Sequence, residues 1–186
     1  MREEELKKRL FVGTFVSLPE FKEVKAFVSS LKVEGKWVEE ENLHFTYRFL
    51  GEVEEEKISQ IVSFLKQKLK GAPQPKVLYK GLGVFPGKER PRVLWVGIES
   101  EGVEEIKRRV DAALVPFGFP VEESFTPHVT LLRIKKMRHR GKFNSYLFKM
   151  KNFIFAERVE PKVALIESKL TEKGPIYSVV EEFCLD

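Results

Sequence analysis

One order of sequence patterns runs through this chain twice, and that repetition limits the fold more than any other feature. Residues 10–16 form an apolar, β-rich run, Phe21, Val24, Val28 and Leu31 recur at helical spacing within 19–31, and His44-Phe45-Thr46-Tyr47 then opens a further apolar run. The second half repeats this order. A strand at 92–98 precedes a helix at 102–117, which turns Val103, Ile106, Val110, Ala113, Leu114 and Phe117 inward, and a strand opening His128-Val129-Thr130-Leu131 follows. The two histidines stand 84 positions apart. An internal duplication predicts an α+β fold of two pseudo-symmetric lobes, with two largely antiparallel sheets around a central cleft that carries both H-x-T-x motifs. Two unrelated strands that each carry a histidine are the alternative.

The segments between these units complete the expected order. Pro19 is placed at the first position of its helix, and Gly35 at the end of that helical region. Glu54, Glu55 and Glu56 open the clearest helix: acidic residues suit the positive end of the helix dipole, and Ile58, Ile61, Val62, Leu65 and Leu69 form one apolar stripe up to Gly71 and Pro73. Residues 77–85 and 93–98 read as a hairpin with a long loop. A basic stretch at 135–140 leads into a short helix ending near Met150, and two last strands at 163–170 and 176–183 flank a turn at 172–175.

At 186 residues the chain suits one domain spanning 1–186. No run approaches the 18 or so uninterrupted apolar residues of a membrane helix. The charged start, Met1 to Glu5, lacks the apolar region of a signal peptide, so a cytoplasmic protein without a membrane partner is expected. Its single cysteine, Cys184, lies in an apolar run and is expected to be a buried filler, with no internal disulfide and no thiolate metal cage. A net charge of +5, from 33 Lys and Arg against 28 acidic residues, favours a polyanionic partner only where the cations cluster.

In a strand, residues i and i+2 point to one face, so each motif offers a His/Thr pair on one surface. The chain has five threonines, which makes two His-x-Thr pairs among three histidines a rare coincidence. An imidazole titrates near 6.5, so one copy can give a proton while the other takes one; the threonine hydroxyls can hold an anionic centre between them. This set suits in-line displacement at phosphorus without metal. Metal-assisted chemistry wants clustered carboxylates, whereas the chain has two aspartates, Asp111 and Asp186, and its glutamates mostly fall on Lys-interleaved helix faces. No metal and no cofactor are expected. Gly81-Leu82-Gly83 lacks the spacing and the lysine of a triphosphate-binding loop.

The segments from Asn42 to Gly51 and from Phe125 to Arg133 resemble the two signature motifs of the two-histidine (2H) phosphoesterases, in particular the RNA 2′,3′-cyclic phosphodiesterases, also called 2′-5′ RNA ligases. Gly81 to Pro86, Arg90 to Trp95 and Ile166 to Ser168 share the likeness, which covers nearly the whole chain from Leu10. Departures are Glu39-Glu40 where that family often has proline, the charged N-terminus, and residues 135–150. The resemblance implies hydrolysis of an RNA 2′,3′-cyclic phosphate end, tRNA-derived ends among them, to a 2′-phosphomonoester by a monomeric enzyme. It further implies His44 as proton donor, His128 as proton acceptor, and Thr46, Thr130 and Arg133 as ligands of the substrate phosphate.

Strand parity alone puts Arg48 on the His44 face and Arg133 on the face away from His128; a bulge is needed to turn Arg133 inward. Arg48 is then a packing or rim residue. Phe85 is a candidate for stacking on a base, and residues 135–142, with His139, for a basic flank to the cleft. The same site could serve 2′-5′ RNA ligation or hydrolysis of a small cyclic nucleotide. A non-catalytic RNA-binding module is the contrasting class, but no RRM-type or KH-type signature is found and the paired histidines have no purpose in it.

Overall fold

Period-2 alternation and helical stripes sort residues 6–186, which the computed structural model describes, into nine strands and four helices. Met1 to Glu5 lie outside the described residues. In chain order the elements are β1 (Lys7–Phe15), α1 (Phe21–Ser30), β2 (Val33–Trp37), β3 (His44–Glu54), α2 (Ile58–Leu69), β4 (Lys76–Phe85), β5 (Val93–Glu101), α3 (Val103–Leu114), β6 (His128–Met137), α4 (Arg140–Lys149), β7 (Ile154–Val159), β8 (Lys162–Thr171) and β9 (Gly174–Cys184). No described helix is long and apolar enough to cross a membrane.

The strands form two antiparallel sheets, ordered β3-β1-β8-β9 and β2-β6-β5-β4-β7. The fold is α+β, as expected. Each motif strand lies beside the strand that starts its own half: β3 beside β1, and β6 beside β5. Each half also sends a strand to the other sheet: β4, which follows α2, joins the second sheet next to β5, and β8, which follows β7, joins the first next to β1. The order β3-β1-β8-β9 is thus matched by β6-β5-β4-β7, and β2 is an addition beyond β6.

Alternation along β1 divides the apolar residues between two surfaces. Leu10 and Val12 enter the main core with Phe45, Ile61, Leu65 and Ile106, whereas Phe11 joins Ala164 and Ile166 in a second cluster flanked by Phe15 and Tyr177. That second surface faces the cleft.

The structure departs from the sequence-based expectation in five places. Pro19 and Glu20 form a turn, and α1 starts only at Phe21. Gly35 does not end a helix; it lies inside β2 at a register shift, where a Cβ would come 2.1 Å from the carbonyl oxygen of Arg133, so only glycine admits that approach. Glu54 ends β3, and a 3-10 turn at Glu55–Lys57 precedes α2. The edge strand β7 carries too little alternation to have been expected. Cys184 is exposed, because parity in β9 turns Phe183 inward and its neighbour out.

Candidate active site

Both motif strands break the strand alternation at the same position, three residues after the histidine. In the β1–β3 ladder Val12 pairs with Arg48 and Gly13 with Thr46, leaving Tyr47 as an extra residue; in the β5–β6 ladder Leu94 pairs with Leu132 and Trp95 with Thr130, leaving Leu131 extra. A bulge of this kind reverses the face of everything that follows it. Burial accordingly runs in one sequence over the first nine residues of β3 and of β6, with His and Thr half-buried, then two buried residues in succession, then an exposed residue five after the histidine. That residue is Phe49 in β3 and Arg133 in β6. The bulge brings Arg133 to the face of His128 and sends Arg48 inward, the reverse of simple parity.

Each imidazole is held by the backbone just before it. His44 Nδ1 lies 2.8 Å from the carbonyl oxygen of Asn42, and His128 Nδ1 lies 2.8 Å from that of Thr126. A carbonyl oxygen only accepts, so Nδ1 carries the hydrogen in both rings and the unshared nitrogen of a neutral ring is Nε2. His44, Thr46, His128, Thr130 and Arg133 line one cleft of about 690 Å³ between the sheets. All five residues expected at the site are brought together there.

The two rings sit in different surroundings. His44 is packed by Phe11 at 4.9 Å, by Tyr177 edge-on at 5.3 Å and by Phe15 at 6.4 Å between ring centroids. Burial lowers its pKa below the ordinary imidazole value; the bond to Asn42 pushes it back up, and the charges of His128 and Arg133 lower it further. His128 meets a single edge-on ring, Phe85, at 5.0 Å. Phe85 also packs on Trp95 and is not among the residues that line the cleft. Among the described residues, no group of three or more His, Cys, Asp or Glu side chains gathers in a way that could hold a metal ion.

Arg48 belongs to a buried ion cluster. Its Nη1 donates to Asp111 Oδ1 at 3.2 Å and to the carbonyl of Pro120 at 2.7 Å, and its Nε lies 3.5 Å from Glu122. Lys107 Nζ donates to Asp111 at 3.0 Å and to Glu122 at 2.5 Å. Glu122 also donates its backbone N–H to Asp111 Oδ2 at 3.3 Å. The cluster therefore fastens the segment between α3 and β6, whose Phe125 stacks on Tyr47 and whose Thr126 carbonyl orients His128.

None of residues 135–142 lines this cleft; Lys142 instead lines a separate groove between α1 and α4, with Phe27 and Tyr146. The cations that do line the cleft with Arg133 are Arg9, Lys36 and Lys173, besides the buried Arg48. No local pattern marks them, because they come from β1, β2 and the β8–β9 turn, far from either motif. Tyr177 and Phe11 were missed for the same reason. The carbonyls of Asn42 and Thr126 carry no side-chain signal at all.

Comparison with known proteins agrees with this geometry. The model of the family described as LigT like phosphoesterase matches the chain twice, at residues 17–95 and 96–177. An Aquifex aeolicus protein named RNA 2′,3′-cyclic phosphodiesterase is 41% identical, with 95% of this chain and 97% of that protein aligned. A Methanocaldococcus jannaschii protein of the same name is 36% identical over 94% of this chain and 99% of that protein. Among solved structures, a Thermus thermophilus protein superposes with a TM-score of 0.73 at 28% identity, covering 95% of this chain and 97% of that one. Escherichia coli LigT complexed with 3′-AMP superposes at 0.72 and 19% identity, covering 96% and 98%, a likeness of fold.

Proposed function

The chain belongs to the LigT like phosphoesterase family, and from that premise we propose that it hydrolyses the 2′,3′-cyclic phosphate at an RNA end to a 2′-phosphomonoester by paired-histidine acid and base catalysis. The observation that carries this reading is the pair of histidines, each with Nδ1 anchored to a backbone carbonyl two residues upstream, on matching bulged strands that line one cleft with Arg133.

In this mechanism a water attacks phosphorus in line with the 3′ oxygen. His128 Nε2 takes the proton of the water as its oxygen bonds to phosphorus. The P–O3′ bond breaks, and the proton on His44 Nε2 passes to the departing 3′ oxygen, leaving a 3′ hydroxyl and a 2′-phosphate. The hydroxyls of Thr46 and Thr130 donate to the non-bridging oxygens, and the Arg133 guanidinium offsets the charge that accumulates there. The exposed ring of Phe49, at the position equivalent to Arg133, offers a stacking face at the cleft edge. Phosphate near Arg133 offsets one of the causes that lower the pKa of His44, the charge of Arg133, so substrate helps to load the acid with its proton.

Residues 1–186 then make one unit of two related halves, a view supported by the matched strand orders and by the double family match. Every residue the mechanism uses comes from one chain, and the proposal extends to a cytoplasmic monomer that acts on cleaved RNA ends, tRNA-derived ends included. The test is to incubate the protein with RNA ending in a 2′,3′-cyclic phosphate in the presence of chelator and identify the phosphate isomer formed. A 2′-phosphate is expected; a 3′-phosphate, or no turnover, refutes the reading. Which histidine is the acid is tested with an activated cyclic aryl phosphate, whose leaving group needs little protonation. His44→Ala should regain activity on it and His128→Ala should not.

A further inference from the structure

Opening a cyclic phosphate requires contacts to one ribose and one phosphorus, yet Arg9, Lys36 and Lys173 line the same cleft as Arg133. We propose that Arg9, Lys36 and Lys173 form a second phosphate subsite, which holds the phosphodiester one nucleotide upstream of the cyclic end. The proposal rests on the reading of this cleft as an RNA cyclic phosphodiesterase site, and it makes the preferred substrate an oligonucleotide rather than a free cyclic nucleotide.

Four observations place these cations together. Lys36 is the direct partner of Arg133 in the β2–β6 ladder, and residues opposite each other share a sheet face, so Lys36 points to the cleft side as Arg133 does. Gly174, in the β8–β9 hairpin of the other sheet, lies so close to Lys36 that a Cβ there would be 2.8 Å from Nζ; Lys173 is its neighbour. The two sheets thus bring their cations to one end of the cleft. Arg9 lies two residues from Phe11, the ring that packs His44, which is about 7 Å along a strand and on the scale of one nucleotide step. Tyr177 lines the same cleft, and the charges of both Arg9 and Arg133 act on its hydroxyl.

Among the described residues, none of Arg9, Lys36 and Lys173 has a carboxylate within 4.0 Å. The carboxylates that line the same cleft are Glu39 and Glu122, and Glu122 is already held by Lys107 and Arg48. Unpaired guanidinium and ammonium groups in the same cleft as a phosphoester site suit the backbone of a polyanion, which they hold without reading its sequence. The hydroxyls of Ser168 and Tyr177, paired across β8 and β9 in the same cleft, supply further donors.

The test compares a nucleoside 2′,3′-cyclic monophosphate with a dinucleotide carrying the same cyclic end. One charge-assisted contact is worth about tenfold, so the dinucleotide should have a kcat/KM about tenfold higher or more at low salt. Its advantage should fall with salt, with a log–log slope steeper by about 0.7 for the one added phosphate. In Arg9→Ala/Lys36→Ala/Lys173→Ala the ratio of the two kcat/KM values should drop to near one, whereas Lys142→Ala, a basic change outside the cleft, should leave the ratio alone. A wild-type ratio near one, a ratio that survives the triple change, or an equal drop in Lys142→Ala overturns the subsite. Should neither substrate be turned over, the activity reading fails by itself. Calorimetry with the mononucleotide and dinucleotide 2′-phosphates then decides the subsite alone: a tenfold affinity gap that the triple change erases upholds it, and equal affinities discard it.

Discussion

Asp111→Asn is the perturbation that joins stability to catalysis in this molecule. The carboxylate is 1% exposed and accepts from Arg48 at 3.2 Å, from Lys107 at 3.0 Å and from the backbone N–H of Glu122 at 3.3 Å. An amide of the same size removes the charge and turns one acceptor into a donor, which leaves two buried cations, Arg48 at 7% and Lys107 at 5% exposure, to share the half-exposed Glu122. Breaking a buried pair typically costs about 3–5 kcal/mol. Because Glu122 and the Pro120 carbonyl remain, the low end applies here, about 3 kcal/mol, a large part of the roughly 5–15 kcal/mol that holds a domain folded. The same loss loosens the segment that leads to Thr126, whose carbonyl fixes the His128 ring, so kcat should fall more than KM rises. Urea unfolding followed by the fluorescence of Trp37 and Trp95 reads the first effect, and hydrolysis of a cyclic phosphate end reads the second. Replacing the whole cluster by apolar residues, Asp111→Leu with Arg48→Met and Lys107→Met, should recover much of the stability, since the uncompensated charge is what costs most. A loss below about 1 kcal/mol in Asp111→Asn with unchanged kcat would refute the reasoning.

His44→Ala and His128→Ala should each lower turnover by about 10² to 10⁴ with the fold intact, and the double change should cost little more than either, because one missing partner already disables the same proton-transfer step. Near wild-type rates in both single variants would end the two-histidine account. Thr46→Ala and Thr130→Ala each delete one hydrogen bond to a phosphate oxygen and should cost about tenfold, less than either histidine, when assayed side by side. The rate should be bell-shaped in pH. Burial, then the charges of His128 and Arg133, lowers the pKa of His44, so a His44 acid loses its proton early as pH rises; bound phosphate offsets the charge of Arg133 and keeps the proton on to higher pH. The descending limb of kcat should therefore lie at higher pH than that of kcat/KM, and coincident limbs would count against His44 as the acid. EDTA should leave the rate unchanged; loss with chelator and recovery with a divalent ion would refute the mechanism.

What could be read from the chain follows the range of the signals. The strand-helix-strand repeat, the α2 stripe and the two motifs are local patterns, and they survive folding with boundaries moved by a few residues. The face of Arg133 was not legible from parity, because bulges at Leu131 and Tyr47 are properties of paired strands and leave no mark in a single strand's sequence. Gly35 looks like a helix stop until β6 is known to pass 2.1 Å from where its Cβ would be. The basic run at 135–142 looked like the RNA-facing charge, whereas the cations lining the cleft are scattered singly over β1, β2 and the β8–β9 turn. Clustering in sequence and clustering in space are different things when a cleft is built from two sheets that exchange strands.

That exchange also bears on how two matched strands can serve the two different roles proposed for His44 and His128. β3 and β6 share their bulge, their burial sequence and their Nδ1 anchor, so backbone geometry by itself makes the two imidazoles equivalent. Acid and base must nonetheless hold opposite protonation states in one turnover. The difference enters through side chains that the neighbouring elements supply. Phe11, Phe15 and Tyr177 enclose His44, whereas His128 meets Phe85 edge-on, and the position five residues after the histidine is an exposed phenylalanine in β3 but a cation in β6. The cation also lowers the proton affinity of the opposite ring, His44, and so ties that ring's charge to the arrival of an anion. In the proposed mechanism the matched backbone places the two proton-transfer groups, and the unsymmetric side chains around His44 set how readily that ring holds its proton.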